Sequence, residues 1–223
     1  MSLAFDAVVF DLDGTLIDSA PDMRVALNRV LGRKGRRSLE LAEMVAMIGD
    51  GAQQMVAHAF AATGAPAAED DLPMLTRNFL DFYEPLEARL TRPYPGVVET
   101  LDGLAAAGLS LGLCTNKPHA PALELLDALG LGRHFDAVIG MAPGRQRKPD
   151  PGTLLAVIEA LGASPACSVM VGDSANDIGS ARNGGVKSVA VAYGYARGPA
   201  AALGADTVIQ RFADLPEALA ALC

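Results

Sequence analysis

Phe10-Asp11-Leu12-Asp13-Gly14-Thr15 follows directly on the apolar run Ala7-Val8-Val9-Phe10, and the reading of that junction decides the fold. A run of that length and β-branched content reads as a buried strand of a parallel sheet, so two acids leave it together at its C-terminal edge. That edge is where open α/β sheets bind ligands. Residues two apart on a strand point to the same face, so the carboxylates of Asp11 and Asp13 are expected to share one volume. Two unit charges about 4 Å apart repel by roughly 4 kcal/mol at an effective dielectric near 20, so one acid must hold a proton or a cation must sit between them. Magnesium, which takes oxygen ligands, is the cation to expect there.

Working outward, the next stretch is helical. Ile17-Asp18-Ser19-Ala20-Pro21-Asp22 reads as a helix start with Ser19 as N-cap and Asp22 as its capping-box partner. Four apolar faces at helical spacing follow: Met23, Leu27, Val30 and Leu31; Leu41, Met44, Val45 and Ile48; Met55, Val56, Ala59 and Phe60; Leu72, Leu75, Phe79 and Leu86. Between Ile17 and about residue 90 no strand-like alternation occurs. From Tyr94-Pro95-Gly96 onward helices alternate with short apolar runs. Strands are expected over 109–114, 137–139, 169–171, 188–191 and 207–209, with helices over 97–107, 120–129, 151–161, a short one ending near Asn183 and a closing one from Leu215. Alternation of that kind means a parallel sheet with right-handed crossovers. The expectation is an α/β, doubly wound, Rossmann-like core formed by residues 1–16 and 92–223, with an α-helical cap at 17–91 and hinges near 16–18 and 90–94.

The bulk composition narrows the partners. The chain has 223 residues, 51% of them hydrophobic, enough for one full core with an insertion. Eighteen basic residues against 26 acidic ones give a net charge of −8, which disfavours a phosphate-rich polymer as the natural partner. Cys114, Cys167 and Cys223 have no metal-ligand spacing and suggest no disulfide framework, so a cytoplasmic location is expected. Asp6 and Asp11 interrupt any signal-peptide core, and no apolar run approaches a membrane span.

Three further strand ends carry polar residues. The strand ending at Cys114 delivers Thr115-Asn116-Lys117, where a hydroxyl and an amide suit phosphate oxygens near a helix start, or where Thr115 is simply a helix cap. In Lys148-Pro149-Asp150-Pro151, Asp150 is expected to cap a helix that begins at Pro151, leaving Lys148 as a fixed cation or as solvated surface. Gly172-Asp173-Ser174-Ala175-Asn176-Asp177 reads alone as a capped turn. What weighs against three ordinary loops is accumulation: acids at two strand ends, a hydroxyl at a third and a lysine in a fourth loop share one edge of one sheet.

In this order the segments Asp11-Leu12-Asp13-Gly14-Thr15, Thr115-Asn116, Lys148-Pro149 and Gly172-Asp173-Ser174 with Asp177 resemble the haloacid dehalogenase superfamily of aspartate-nucleophile phosphatases. The wording of 18–22, Ile48-Gly49-Asp50-Gly51-Ala52, Tyr94-Pro95-Gly96-Val97, Thr115-Asn116-Lys117-Pro118 and Tyr193-Gly194-Tyr195 is most similar to phosphoglycolate phosphatases within it. The resemblance implies that Asp11 attacks phosphorus and forms an aspartyl-phosphate, and that Asp13 serves as acid and then base. It implies Thr115, Asn116 and Lys148 at the phosphate. Magnesium is then expected on Asp11, the backbone carbonyl of Asp13 and Asp173, with Ser174 and Asp177 behind them. The implied substrate is a small anionic phosphate ester met without nucleic acid or membrane, by a monomer or homodimer.

The insert would control water over a small ligand, and Gly49-Asp50-Gly51 is either the loop that reads the leaving group or a plain helix-helix turn. Arg33-Lys34-Gly35-Arg36-Arg37 reads as an anion-attracting patch or a solvated linker. His58, His119 and His134 have no spacing that suggests a metal site or triad. A dehalogenase needs no second acid in the first motif, and a phosphonate hydrolase needs a poised cap lysine where this chain has only Lys34. A sugar-phosphate phosphatase or phosphomutase, or a pyrophosphatase, would share the same machinery. A phospho-receiver domain combines acids, Thr and Lys-Pro on a parallel sheet as a binding switch, but is about half as long and carries no cap.

Overall fold

The computed structural model describes residues 5–84 and 88–222; Leu86, expected on the fourth helix, and Cys223 lie outside the described residues. Tertiary contacts divide the chain into two compact units, Met1–Asp18 with Pro93–Cys223 and Ser19–Arg92.

The first unit is built on a six-stranded sheet. Its strands are β1 (Ala7–Phe10), β4 (Ser110–Pro118), β5 (Ala137–Met141), β6 (Ser168–Gly172), β7 (Lys187–Val191) and β8 (Thr207–Ile209). Their order across the sheet is β5-β4-β1-β6-β7-β8 and all neighbours run parallel. This is the doubly wound arrangement, in which strand order reverses between β1 and β6. The strand opened by Ala7 is therefore central, with Val9 opposite Gly112 on one side and Met170 on the other. Its four residues are fully buried because helices cover both faces. Val9 turns to one face, packing with Cys114, Met170 and Leu154, Val157 and Ile158 of α7 (Gly152–Ala160). Phe10 turns to the other, with its ring centroid 6.3 Å from that of Phe135 and 5.8 Å from that of Phe212.

The remaining helices of this unit, α5 (Val97–Ala106), α6 (His119–Ala128), α8 (Ala175–Gly184) and α9 (Leu215–Ala221), fall where the apolar period placed them. Two boundaries differ. β4 runs to Pro118 instead of stopping at Cys114, with its register shifting between those residues, so Thr115 lies within the strand and is not a helix cap. Helix α7 begins at Gly152, one residue later than expected: Pro151 is its N-cap, while Asp150 accepts from the Gly152 N–H at 2.8 Å.

The second unit is helical. It contains α1 (Ala20–Arg33), α2 (Leu41–Val45), α3 (Ala52–Ala62) and α4 (Leu72–Tyr83) around a core of its own that includes Leu27, Leu31, Met44, Val56, Phe60, Leu75 and Phe79. Ser19 makes no side-chain cap on α1, and Asp22 is not its capping-box partner. The fully buried Asp22 carboxylate instead accepts from the backbone N–H of Leu90 at 2.9 Å and from the N–H and hydroxyl of Thr91, both at 2.8 Å. The run 33–37 leaves α1 at Arg33 and is largely exposed, as a solvated linker is, with its arginines engaged: Arg33 lies over the Phe82 ring, Arg36 donates to Phe60 O at 2.7 Å, and Arg37 pairs with Glu43 at 2.8 Å. Gly49-Asp50-Gly51 forms the junction between α2 and α3, with Gly51 as N-cap of α3. A two-residue strand β2 (Ile17–Asp18) pairs with β3 (Arg92–Pro93) where the chain passes between the units. No helix among the described residues is long and apolar enough to cross a membrane.

Candidate active site

The site forms at the C-terminal edge of the sheet, around the point where strand order reverses. Asp11 follows the last residue of β1, and its N–H continues the ladder to Val171 O at 2.9 Å. Asp173 follows the last residue of β6. Asp177 sits in the first turn of α8, where it and Ser174 form a reciprocal cap: Asp177 Oδ2 accepts from the Ser174 hydroxyl at 2.6 Å and from its N–H at 3.0 Å. One oxygen from each of Asp11, Asp173 and Asp177 lies within 4.8 Å of the others, and all three residues are buried.

Asp13 does not reach this cluster by the strand alternation expected of it. β1 ends at Phe10, and residues 11–16 turn instead of extending, with Asp13 bridging to Ile17 and Gly14 at φ +86°. The carboxylate grouped with Asp11 and Asp173 is thus that of Asp177. Asp13 is half-buried, close enough for its charge to add to the pressure on Asp11.

Lys148, only 4% exposed, supplies the positive charge. Its ammonium donates to Asp11 Oδ1 at 2.7 Å, to Asp177 Oδ1 at 2.6 Å and to Cys114 O at 2.7 Å. An ammonium has three protons, so all three are engaged within the protein. Lys148, expected at the phosphate, here grips two carboxylates. Asn116, also expected at the phosphate, brackets the backbone of Lys148: its Oδ1 accepts from the Lys148 N–H at 2.9 Å and its Nδ2 donates to the Lys148 carbonyl at 3.2 Å. Thr115 is buried beside it, with Oγ1 accepting from the Lys117 N–H at 3.1 Å.

The electrostatics follow from burial. Three carboxylates face one ammonium, leaving two negative charges uncompensated if all ionise. Burial pushes Asp11 from its ordinary 3.8 up to about 7, the Asp177 charge adds to the rise, and Lys148 opposes it. Burial likewise raises Asp173, helped by Asp177 and Asp11. Burial works against the Lys148 ammonium, but Asp11 and Asp177 outweigh it and hold Lys148 above its ordinary value. A deficit of two charges in a pocket of hard oxygen donors, with neither His nor Cys side chains in the acidic cluster, fits magnesium and does not suit a soft-ligand ion.

Two contacts at Asp173 had no signal in hydrophobic period. The Thr15 hydroxyl donates to Oδ1 at 3.3 Å and the Tyr195 backbone N–H to Oδ2 at 2.6 Å. The second requires Gly194: a Cβ there would collide with Asp173 and with the Gly14 carbonyl, so only glycine lets the loop after β7 close in.

The haloacid dehalogenase-like hydrolase family pattern matches residues 8–191, which contain each of the acids, the lysine and the threonine described above. The chain belongs to that family. As a haloacid dehalogenase-like hydrolase it is 43% identical over 211 residues to a phosphoglycolate phosphatase of Caulobacter vibrioides, covering 95% of this chain and 89% of that one. A phosphoglycolate phosphatase of Rhodospirillum rubrum is 43% identical over 213 residues, covering 94% and 88%. A crystal structure from Haemophilus somnus, described as a predicted phosphoglycolate phosphatase, superposes with a TM-score of 0.90 at 30% identity over 96% of this hydrolase and 98% of that chain.

Proposed function

We propose that this hydrolase is a magnesium-dependent phosphomonoesterase whose substrate is small and anionic, 2-phosphoglycolate. The observation that carries the reading is the setting of Asp11: a buried carboxylate at the sheet's switch point, 2.7 Å from an ammonium and grouped with two more acids. The relatives from Caulobacter vibrioides and Rhodospirillum rubrum support the substrate.

Asp11 attacks phosphorus as the phosphoester bond breaks, giving an acyl phosphate on its carboxylate and a leaving alkoxide. Asp13 gives that alkoxide its proton, then takes one from the water that attacks the acyl phosphate, which frees phosphate and regenerates Asp11. Lys148 keeps Asp11 ionised and turned, Asn116 fixes Lys148 from its backbone, and Asp177 anchors the ammonium from the far side. Thr115, within the neighbouring strand β4, is assigned to a phosphate oxygen. Magnesium would be held by Asp11, Asp173 and the backbone carbonyl of Asp13, and when bound would supply the positive charge that offsets both carboxylates and phosphate. Gly49-Asp50-Gly51 is assigned to reading the leaving group.

The test is phosphate release from a panel of 2-phosphoglycolate, sugar phosphates, nucleotides and pyrophosphate, each with magnesium and with EDTA. The expected result is magnesium-dependent release with the highest kcat/KM for 2-phosphoglycolate. Preference for another ester would reassign the substrate, and equal release in EDTA would remove the metal.

A further inference from the structure

The two donors to Asp173 belong to a cluster of hydroxyls that the reaction above leaves unused. Tyr193 donates to the carbonyl of Thr15 at 2.8 Å, and Thr15 in turn donates to Asp173 Oδ1. Tyr195, 7% exposed, donates its hydroxyl to Asp18 Oδ1 at 2.7 Å while its N–H reaches Asp173 Oδ2. The Tyr94 ring centroid lies 4.5 Å from that of Tyr193. Each oxygen of Asp173 thus meets a donor whose own residue is tied down by a tyrosine hydroxyl, one to the loop after β1 and one to β2.

We propose that Tyr193 and Tyr195 are positioning residues that fix the orientation of Asp173 for the metal, with Asp18 as the anchor of Tyr195. The proposal rests on the magnesium reading above. A buried aromatic hydroxyl finds a partner in any well-packed core. What goes beyond packing is the convergence of both tethers on one candidate metal ligand, since partners behind a ligand set its direction and the affinity of the site.

The test measures magnesium binding to the full chain by calorimetry and by the magnesium-induced rise in melting temperature, each against the EDTA-treated form of the same variant, so that general loss of stability cancels. Tyr195→Phe, which removes one hydroxyl, is expected to weaken magnesium binding about five- to tenfold, the scale of one lost hydrogen bond behind a ligand. At saturating magnesium its KM should match that of the wild type. Tyr193→Phe should do the same through Thr15. Asp18→Ala should match Tyr195→Phe, Asp18→Asn should restore binding because it keeps an acceptor in place, and the Asp18→Ala/Tyr195→Phe double variant should bind no more weakly than either single one. Unchanged affinity in Tyr195→Phe, or additive losses in the double variant, would overturn the positioning role alone. A wild-type chain that binds no magnesium would overturn the metal reading and this proposal with it.

Discussion

At the scale of single residues the account turns on how much charge the Lys148 side chain controls. Its three protons join Asp11, Asp177 and a strand carbonyl, so Lys148→Ala both frees the nucleophile to turn and leaves buried acids without a counter-charge. The expected loss is at least about a hundredfold in kcat, the scale of deleting one charge-stabilising group, measured by phosphate release at saturating magnesium. Near-normal turnover would remove Lys148 from the mechanism. The titration of Asp11 gives a second outcome. Its pKa rises from 3.8 to about 7 on folding, so between those values the native chain holds more protons than the unfolded one. Stability in EDTA must therefore fall as pH rises through that window and level off above about 7. The raised Asp173 has the same sign, whereas the raised Lys148 stabilises throughout this range and loses its effect only at far higher pH. Urea unfolding in EDTA between pH 5 and 8 should show the decline, Asp11→Asn should reduce it, and magnesium, binding only the native state, should offset it.

At the scale of elements, what the sequence made legible was whatever depends on local pattern. The apolar periods placed the strands and helices of the core, and four polar segments at strand ends marked the edge that carries the site. Local rules failed where a distant partner offered more. Asp22 looked like a capping-box acid because it stands three residues after Ser19, yet its carboxylate is spent on Leu90 and Thr91, 68 and 69 residues away. Asp22→Ala would leave two backbone donors and a hydroxyl unpaired, at a cost of about 3 kcal/mol or more, read as a lower urea midpoint, while Asp22→Asn, which keeps one acceptor oxygen, should lose less. The alternative that Thr115 is only a helix cap falls away because an extended backbone needs no apolar side chains to continue, and β4 carries on to Pro118. Asp11 and Asp13 were expected to converge by strand alternation, and that argument fails because β1 stops at Phe10.

At the scale of the molecule, loops far apart in sequence meet because a parallel sheet with reversed strand order delivers its C-terminal ends to one place. Lys148 and Asp11 are 137 residues apart, and Tyr193 reaches Thr15 across 178. Pattern could place residues on a common edge but could not assign atoms. That the Asn116 amide brackets the Lys148 backbone was not written in any spacing, and the tyrosines around Asp173 carried no period to betray them. The helical unit is a separate compact body with its own core, inserted where β1 hands over to the rest of the sheet. All of the chemistry proposed for the chain passes through the carboxylate of residue 11. Mass-spectrometric mapping of the full chain, acid-quenched during turnover of 2-phosphoglycolate with magnesium, should find phosphate on Asp11, and Asp11→Asn should carry none and turn over nothing. Phosphate located on another residue, or steady turnover by Asp11→Asn, would contradict it.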